Sequence, residues 1–329
     1  MMPAAYRPII VRLPLDALWH SKWGERFVDL RLPEPEASGF ADVAGVQIAW
    51  ESFGQGESAV LVVPTWNFVD SRVSARLVPD LSPWFRVVTF DPRGAGRSDR
   101  PPTGYRYDDH VADAVAVLQA AGVDRASLVA GSSGTNTAAV LAARLPDRVE
   151  RLVLIAPAMR VGPTAPPEDD NDDEFWIERA SYEGWERFSA PYWRQDWPGF
   201  ARWFLELVFN EPGSEALIDA ILAIALEADP EILIQQHREM HRGRDSLAAP
   251  AILGTISSPT LVLHGELDQS VPLAVANAVA AAIPGAALAV AVAGGHRPDI
   301  RSPELINPLL VDFLRGHRLT ARPGIEIQQ

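Results

Sequence analysis

The stretch that decides the fold runs from Leu128 to Pro146 and reads "LVAGSSGTNTAAVLAARLP". It begins as an apolar strand and ends as an alanine-rich helix, with glycines in the turn between them. Two serines, Ser132 and Ser133, lie side by side in that turn. Either could be a nucleophile held on a strand-to-helix turn, so the flanking residues must decide between them.

The space around such a turn favours one of the two serines. In a nucleophile elbow, the residues two before and two after the nucleophile must be small because the backbones crowd there. Around Ser132 these residues are Ala130 and Gly134, and both are small. Around Ser133 the second of them is Thr135, whose branched side chain fits poorly. Sterics therefore favour Ser132 without excluding Ser133.

The overall composition limits what the protein can do. The chain has 329 residues, of which 47% are hydrophobic, and it contains no cysteine. A large core is therefore expected, whereas disulfides, thiolate metal sites and a cysteine nucleophile are excluded. The formal net charge is −14 and no basic patch accompanies it, so we expect no nucleic-acid partner.

Targeting and membrane signals are also missing from the sequence. The N-terminal residues lack a basic region followed by an apolar one, so no secretory signal is expected. The most alanine-rich run, residues 278–294, is interrupted by Pro284 and Gly285 and is too short to span a bilayer. We therefore expect a cytoplasmic protein without a membrane span.

Short valine-rich runs alternate with helical segments over residues 37–158 and again over 246–320. This alternation predicts an α/β fold with a mostly parallel, doubly wound sheet. Residues 159–245 break the pattern and predict an inserted helical cap. Residues 1–36 show no period and predict an N-terminal extension on the surface, and residues 321–329 form a C-terminal tail.

Two helix boundaries follow from local signals. The segment "DDHVADAVAVLQAAG" places Val111, Ala114, Val115 and Leu118 on one face and should end at Gly122. In the last helix, Asn307 and the proline that follows it are typical of an N-cap and a first helical residue.

The stretch "DRASLVAGSSGTNTAAVLAARLPDRVERLVLIAPA" resembles the elbow region of the α/β-hydrolase superfamily. In that family the elbow serine precedes the proline of a "P-[ED]-R-V" turn by a nearly constant helix length, and counting back from Pro146 gives Ser132. The segments "VVTFDPRGAGRSDRP", "PTLVLHGELDQSVP" and "VAGGHRPDIRSPELINPLLVDFL" are similar to three further family motifs. The resemblance covers roughly residues 40–157 and 255–316.

The resemblance implies a catalytic triad in the chain order that this fold requires: Ser132, Asp268 and His296. The histidine would take the serine proton, and the carboxylate would hold the histidine in the right tautomer. Glu266 is a nearby rival for the acid, although the family position falls on Asp268. His264 ends a strand and is expected to be structural.

The resemblance also implies an oxyanion hole made of two backbone N–H groups. Ser133 would supply one of them. Aligned by position, Trp66 would supply the other, although the loop reads Pro64, Thr65, Trp66 where the family often has a His-Gly pair. The alternative is that Trp66 is only a packed aromatic residue.

The predicted cap holds twelve aromatic residues between positions 175 and 210. Phe200, Trp203, Phe204 and Leu207 follow helical spacing, so one stripe must face an apolar surface. That stripe could pack on the main domain, or it could roof the elbow and line a substrate pocket. The acidic run Glu168–Glu174 lacks the spacing of a calcium loop and predicts a solvated hinge, so no metal site is expected.

Together these features predict a serine hydrolase that needs no cofactor. It would cleave a carboxylic ester or lactone with a bulky apolar portion through an acyl-enzyme. Two alternatives remain open: a hydrolase of carbon–carbon bonds with the same triad, and a ligand-binding protein of this fold with slow turnover. The partner would be a small apolar molecule, and the oligomeric state is not readable from the sequence. We also expect that a short linker in place of residues 165–240 would leave the triad competent.

Overall fold

A computed structural model describes residues 10–12, 28–162, 173–242, 249–319 and 326–328. Several sequence predictions lie outside the described residues, wholly or in part. They are most of the N-terminal extension and of the acidic run, the cap boundary at residue 245, and most of the C-terminal tail.

Within the described residues, ten strands form one sheet in the order β10-β1-β9-β8-β7-β6-β4-β5-β3-β2. Strands β1 and β4 to β9 are mutually parallel, whereas β3 and β10 run antiparallel to their neighbours. The predicted mostly parallel, doubly wound sheet is confirmed. The strands are β1 (Ile10–Arg12), β2 (Ala37–Val43), β3 (Val46–Phe53), β4 (Ala59–Val63), β5 (Arg86–Phe90), β6 (Ala126–Gly131), β7 (Val149–Ile155), β8 (Thr260–Gly265), β9 (Ala287–Ala291) and β10 (Glu326–Gln328).

The helices cover both faces of this sheet, which explains why its central strands are apolar without interruption. Successive residues of β6 enter opposite cores: Leu128 packs in the core that includes α2, α3 and α10, and Val129 in the core that includes α1 and α12. The helices are α1 (Val78–Leu81), α2 (Tyr107–Ala120), α3 (Gly134–Arg144), α4 (Asp173–Trp176), α5 (Ala190–Gln195), α6 (Trp197–Val208), α7 (Glu215–Ala225), α8 (Pro230–Arg242), α9 (Ala249–Leu253), α10 (Leu273–Ala282), α11 (Pro298–Arg301) and α12 (Pro303–Leu314).

The strand order positions the functional loops. Strand β4 lies between β5 and β6, so the chain leaves it towards one side of the sheet and returns on the other. The loops after β4 and β6 therefore open onto one crevice at the carboxyl edge of the sheet. In open α/β sheets ligands bind at such a point.

The two predicted helix boundaries have different outcomes. Helix α2 ends before Gly122, whose φ of 66° is the left-handed conformation of a helix C-terminus, as predicted. The prediction for α12 was wrong, because Pro303 occupies the first turn and Pro308 lies inside the helix. Asn307 does not cap the helix. It is buried, and its side chain donates hydrogen bonds to the backbone carbonyl of Arg76 and to Asp80.

Helices α4 to α8 form a helical insertion, residues 173–242, between β7 and α9. Its core is aromatic, and Trp66 and Phe68 from the loop after β4 contribute to it. The predicted stripe on α6 is rotated, because Ala201, Leu205 and Val208 are buried while Trp203 and Leu207 are only half-buried. Phe200 is fully buried in the aromatic core, where its ring contacts those of Trp66 and Phe68. Phe204 lines a cleft at the elbow, and the expected role of the stripe in a substrate pocket stays a prediction.

Candidate active site

Ser132 lies at the apex of the turn between β6 and α3. Its φ is 52°, a left-handed conformation that a non-glycine residue seldom adopts, whereas Ser133 has an ordinary helical φ of −61°. The turn is held by backbone hydrogen bonds from the Ser132 N–H to the Ile155 carbonyl and from the Thr135 N–H to the Ser132 carbonyl. Strain of this kind is typical of functional sites.

The small residues around the turn are required by close backbone approach. A Cβ on Gly134 would lie 2.2 Å from the carbonyl oxygen of Pro64, in the loop after β4. A Cβ on Gly131 would lie 2.7 Å from the guanidinium carbon of Arg297. The steric preference for Ser132 seen in the sequence therefore has a physical basis in the fold.

Three of the predicted side chains are brought together in one hydrogen-bonded chain. The Ser132 Oγ lies 2.8 Å from His296 Nε2, and His296 Nδ1 lies 2.7 Å from Asp268 Oδ2. His296 is 2% exposed and the Asp268 side chain is fully buried. A carboxylate can only accept, so Nδ1 carries the proton and Nε2 is left to accept from the serine hydroxyl.

The charge of Asp268 is held by several donors. Its Oδ1 accepts hydrogen bonds from the backbone N–H groups of Ser270 and Val271. Burial raises the pKa of this carboxyl, but the hydrogen bonds from His296 and from the Val271 N–H outweigh burial and hold the pKa below its usual value. Asp268 is therefore ionised at neutral pH and can orient the imidazole.

The rival acid and the second histidine take other places. Glu266 points to the surface turn, where it accepts a hydrogen bond from the Ala293 N–H. His264 is fully buried beside the acid: its Nε2 lies 2.9 Å from the carbonyl oxygen of Val271 and 3.3 Å from Asp268 Oδ2. Burial lowers the pKa of His264, so it is a neutral neighbour of the carboxylate.

The two predicted oxyanion donors lie beside Ser132 at the mouth of the crevice. Among the described residues, the backbone N–H groups of Ser133 and Trp66 have no acceptor. The Trp66 ring also packs in the aromatic core, with its centroid 5.2 Å from that of Phe68 and 5.5 Å from that of Phe204. The packing of the Trp66 ring does not depend on the role of its backbone N–H. The assignment of that N–H to an oxyanion hole stays a prediction.

A cleft with about 490 Å³ of empty space, part of it open to solvent, lies in front of Ser132 and His296. Its lining is mostly apolar and comes from three parts of the chain: the loop after β4, the insertion and the segment around α11. The apolar side chains are Trp66, Phe68, Val69, Val73, Phe204, Leu205, Val208, Phe209, Ile221 and Ile300.

Arg297 is the charged side chain that lines this cleft, and sequence reasoning missed it although it follows His296 directly. Its guanidinium forms two parallel hydrogen bonds, of 2.9 and 2.7 Å, with the buried carboxylate of Asp299. The pair is neutral as a whole, so the cleft carries no net charge from it.

The insertion also contacts the loops that carry the histidine and the acid. The backbone N–H of His296 donates to the Val208 carbonyl at 3.1 Å, and the backbone N–H of Gly295 donates to Glu211 Oε1 at 2.7 Å. The side-chain amide of Asn210 donates to the carbonyl of the residue before Asp268, at 2.9 Å. No sequence motif marks these contacts, because they join segments far apart in the chain.

A second polar link ties the insertion to the loop after β4. The Asn67 side-chain amide donates to the Arg93 carbonyl at 2.5 Å, so Asn67 Oδ1 faces Gln236 and accepts from Gln236 Nε2 at 3.1 Å. Gln236 Nε2 also lies 3.4 Å from Nε2 of the buried His110. Burial and the charge of Arg93 lower the pKa of His110 to about 3, so this histidine is neutral.

The described ranges show neither a cluster of metal-binding side chains nor a helix suited to cross a membrane. No group of three or more histidine, aspartate or glutamate side chains is placed there to hold a metal ion. None of the helices described there combines the length and apolar character needed to cross a membrane.

Comparison with known proteins identifies the family. A family model described as "alpha/beta hydrolase fold" matches residues 59–188. A 2-hydroxymuconate semialdehyde hydrolase from Pseudomonas sp. (strain CF600) is 30% identical over 283 residues, which cover 85% of this chain and 94% of that protein. The chain belongs to the α/β-hydrolase fold family.

Other α/β hydrolases show how varied the relatives are. A putative non-heme chloroperoxidase from Synechocystis sp. (strain ATCC 27184 / PCC 6803 / Kazusa) is 28% identical over 284 residues, covering 83% of this chain and 96% of that protein. The solved structure of Est816, described as an N-acyl homoserine lactone degrading enzyme, is 27% identical with a TM-score of 0.67, and covers 84% of this chain and 100% of that one. The relatives establish the fold and a family of hydrolases, and their substrates differ.

Proposed function

We propose that this α/β hydrolase is a serine hydrolase that cleaves a neutral carboxylic ester or lactone with a bulky apolar portion. The observation that carries the proposal is the position of Ser132: a strained apex, 2.8 Å from His296 Nε2, at the base of an apolar cleft. Similarity to a lactone-degrading enzyme of the same fold is in keeping with it.

Acylation would begin when Ser132 Oγ attacks the carbonyl carbon and His296 Nε2 takes the hydroxyl proton. Asp268 stabilises the imidazolium that forms. The N–H groups of Ser133 and Trp66 would donate hydrogen bonds to the carbonyl oxygen as negative charge develops on it. Collapse of the intermediate breaks the ester bond, and the imidazolium gives its proton to the leaving alcohol.

Deacylation would repeat these steps with water. His296 takes a proton from a water molecule, which attacks the acyl carbon bound to Ser132. The second intermediate collapses to the free acid, and the proton returns to Ser132 Oγ. A lactone follows the same course, except that its alcohol remains covalently part of the acyl group, so a single hydroxy acid is released.

The preference for a neutral substrate rests on Arg297. A carboxylate in the cleft would lose its hydration, and it would have to compete with Asp299 for the guanidinium that could compensate that loss. An apolar ester loses no such hydration, and it buries its apolar surface against the aromatic lining.

A second candidate is a hydrolase of carbon–carbon bonds with the same three residues. The relative named a 2-hydroxymuconate semialdehyde hydrolase favours it. Both reactions would use Ser132 and His296, so variants of these residues cannot distinguish the two candidates. A comparison of substrates separates them.

We infer further that the helical insertion acts as a cap over the cleft.

The deciding experiment compares two adjacent serines with one substrate, p-nitrophenyl butyrate. Ser132→Ala should abolish turnover, whereas Ser133→Ala should keep most of it, because alanine retains the backbone N–H that Ser133 supplies. If Ser133→Ala is inactive and Ser132→Ala is active, the assignment is wrong. If the wild-type protein turns over no ester but hydrolyses 2-hydroxymuconate semialdehyde, the carbon–carbon candidate replaces the ester hydrolase.

A further inference from the structure

Asn210 and Glu211, which follow the C-cap residue Phe209 of α6, lie against the loops that carry the histidine and the acid. Glu211 Oε1 accepts the Gly295 N–H at 2.7 Å, one residue before His296. Asn210 Nδ2 donates to the Leu267 carbonyl at 2.9 Å. Each contact therefore fixes the peptide unit next to one of the two side chains that must activate the serine.

The fit between these groups is close. A Cβ on Gly295 would lie 2.4 Å from Asn210 Oδ1 and 2.9 Å from Glu211 Oε2, so a larger residue there would have to displace these two side chains. Glu211 is 8% exposed, and within the described residues its Oε2 has no hydrogen-bond partner. A buried carboxyl with one unsatisfied oxygen is unfavourable for stability, which points to a role beyond packing.

The two loops are also joined to each other. The Leu267 N–H donates to the Gly294 carbonyl at 2.9 Å. Asn210 and Glu211 therefore contact a junction in which the histidine loop and the acid turn already share a hydrogen bond. A shift of this junction would move His296 and Asp268 together relative to Ser132.

We propose that Asn210 and Glu211 are positioning residues of the proposed reaction, on which this inference rests. They hold the backbone at Gly295 and Leu267 so that the imidazole stays in line with Ser132 Oγ. The helical insertion is then a working part of the site and more than a roof over it. This proposal predicts that a short linker in place of residues 165–240 would impair the triad, contrary to the expectation drawn from the sequence, because that change removes both residues and the Val208 carbonyl.

The test uses the full chain and p-nitrophenyl butyrate. Glu211→Ala should lower kcat about 100-fold, since displacing a catalytic group by about 1 Å has an effect of this size, while KM changes less than about twofold. Glu211→Gln should stay within about threefold of the wild type, because the amide oxygen can still accept the Gly295 N–H. Glu206→Ala is the matched control, because Glu206 lies on the exposed face of α6, and this change should not alter kcat.

Labelling by a fluorophosphonate gives a readout that does not depend on ester binding. Its rate should fall in Glu211→Ala in parallel with kcat and recover in Glu211→Gln. If Glu211→Ala does not fold, Asn210→Ala is the deciding variant. Leu267 is exposed, so in this variant water can bind the Leu267 carbonyl in place of the Asn210 amide. The kcat of Asn210→Ala should fall about tenfold with unchanged KM.

Full kcat in a folded Glu211→Ala, or in Asn210→Ala when the first variant does not fold, would overturn this proposal alone. A loss in Glu211→Gln equal to that in Glu211→Ala would also overturn it, because the hydrogen bond would then not be the cause. Absence of turnover that depends on Ser132 in the wild type would overturn the proposed function and this proposal together.

Discussion

At the scale of single residues, backbone conformation separates the two serines of the turn, because Ser132 has a φ of 52° and Ser133 a helical φ of −61°. The size of Ala130 and Gly134 is a property of the chain itself, and the structure supplies the neighbour, Pro64, that makes it matter. The contacts of Glu211 could not be predicted, because they depend on which carbonyls and N–H groups long-range folding brings beside it.

The acid gives the first residue-scale prediction. Asp268→Asn should still fold but lower kcat about 10⁴-fold, because an amide favours the wrong imidazole tautomer. Glu266→Gln is the matched control, since it changes a carboxylate two residues away on the surface. Steady-state kinetics of both variants would assign the acid to Glu266 if the pattern were reversed.

The second residue-scale prediction concerns pH and His110. The pKa of about 3 in the folded protein lies below the value of about 6.5 expected for an unfolded chain. Between these values the unfolded state binds a proton that the folded state does not, so stability falls as pH drops from about 6.5 towards 3. Between pH 7 and 4.5, the free energy of unfolding of His110→Gln should therefore fall by about 2 kcal/mol less than that of the wild type.

Urea unfolding of the wild type and His110→Gln at both pH values measures this difference. Asp91 and Asp268, whose pKa values are lowered in the folded protein, also lose stabilisation in acid, and they do so equally in both proteins. An identical loss of stability in the two proteins would show that His110 is not buried as a neutral group.

At the scale of elements, the strands and most helices could be predicted because apolar periodicity and turn residues are local signals. The start of α12 could not, because Ser302 and Asn307 both precede a proline and only tertiary contacts separate them. The stripe on α6 was rotated for a similar reason: the aromatic core takes partners from the loop after β4, which the sequence of α6 does not reveal.

The elbow gives a prediction at this scale. Gly134→Ala should be favourable for the helix itself, but its Cβ would meet the Pro64 carbonyl at 2.2 Å and must displace the loop that carries Trp66. We expect a loss of about 1–3 kcal/mol in stability and a larger loss in kcat than in Ser133→Ala. A Gly134→Ala variant with wild-type kcat and melting temperature would contradict the close approach of α3 to this loop.

At the scale of the whole molecule, the fold class and the family followed from linked motifs, whereas the character of the cleft did not. Its lining comes from the loop after β4, the insertion and the segment around α11, which are distant in sequence. The neutral Arg297–Asp299 pair is likewise visible only in three dimensions.

The cleft predicts a dependence on chain length. From p-nitrophenyl acetate through butyrate to hexanoate, kcat/KM should rise roughly tenfold for every two carbons until the cleft is full, since each buried methylene contributes about 0.8 kcal/mol. Phe204→Ala should flatten this series without changing the rate with acetate. A series that falls from acetate to butyrate in the wild type would contradict the apolar cleft.

The Arg297–Asp299 pair in the cleft predicts that the protein discriminates against negatively charged esters. The p-nitrophenyl monoester of succinate is close in length to butyrate but carries a carboxylate. We expect its kcat/KM to be at least about tenfold lower, because the carboxylate must be desolvated. Asp299→Asn frees the guanidinium of Arg297 and should narrow the difference. Equal rates with both esters in the wild type would show that the pair does not set this preference.

The central claim is that Ser132 is the nucleophile, and the most direct test is to locate the covalent adduct. The protein is treated with a fluorophosphonate, digested, and the peptide that holds both serines is fragmented in a mass spectrometer. We expect one adduct, on Ser132, that persists in Ser133→Ala and disappears in Ser132→Ala. An adduct on Ser133, or none in a preparation that turns over ester, would contradict it.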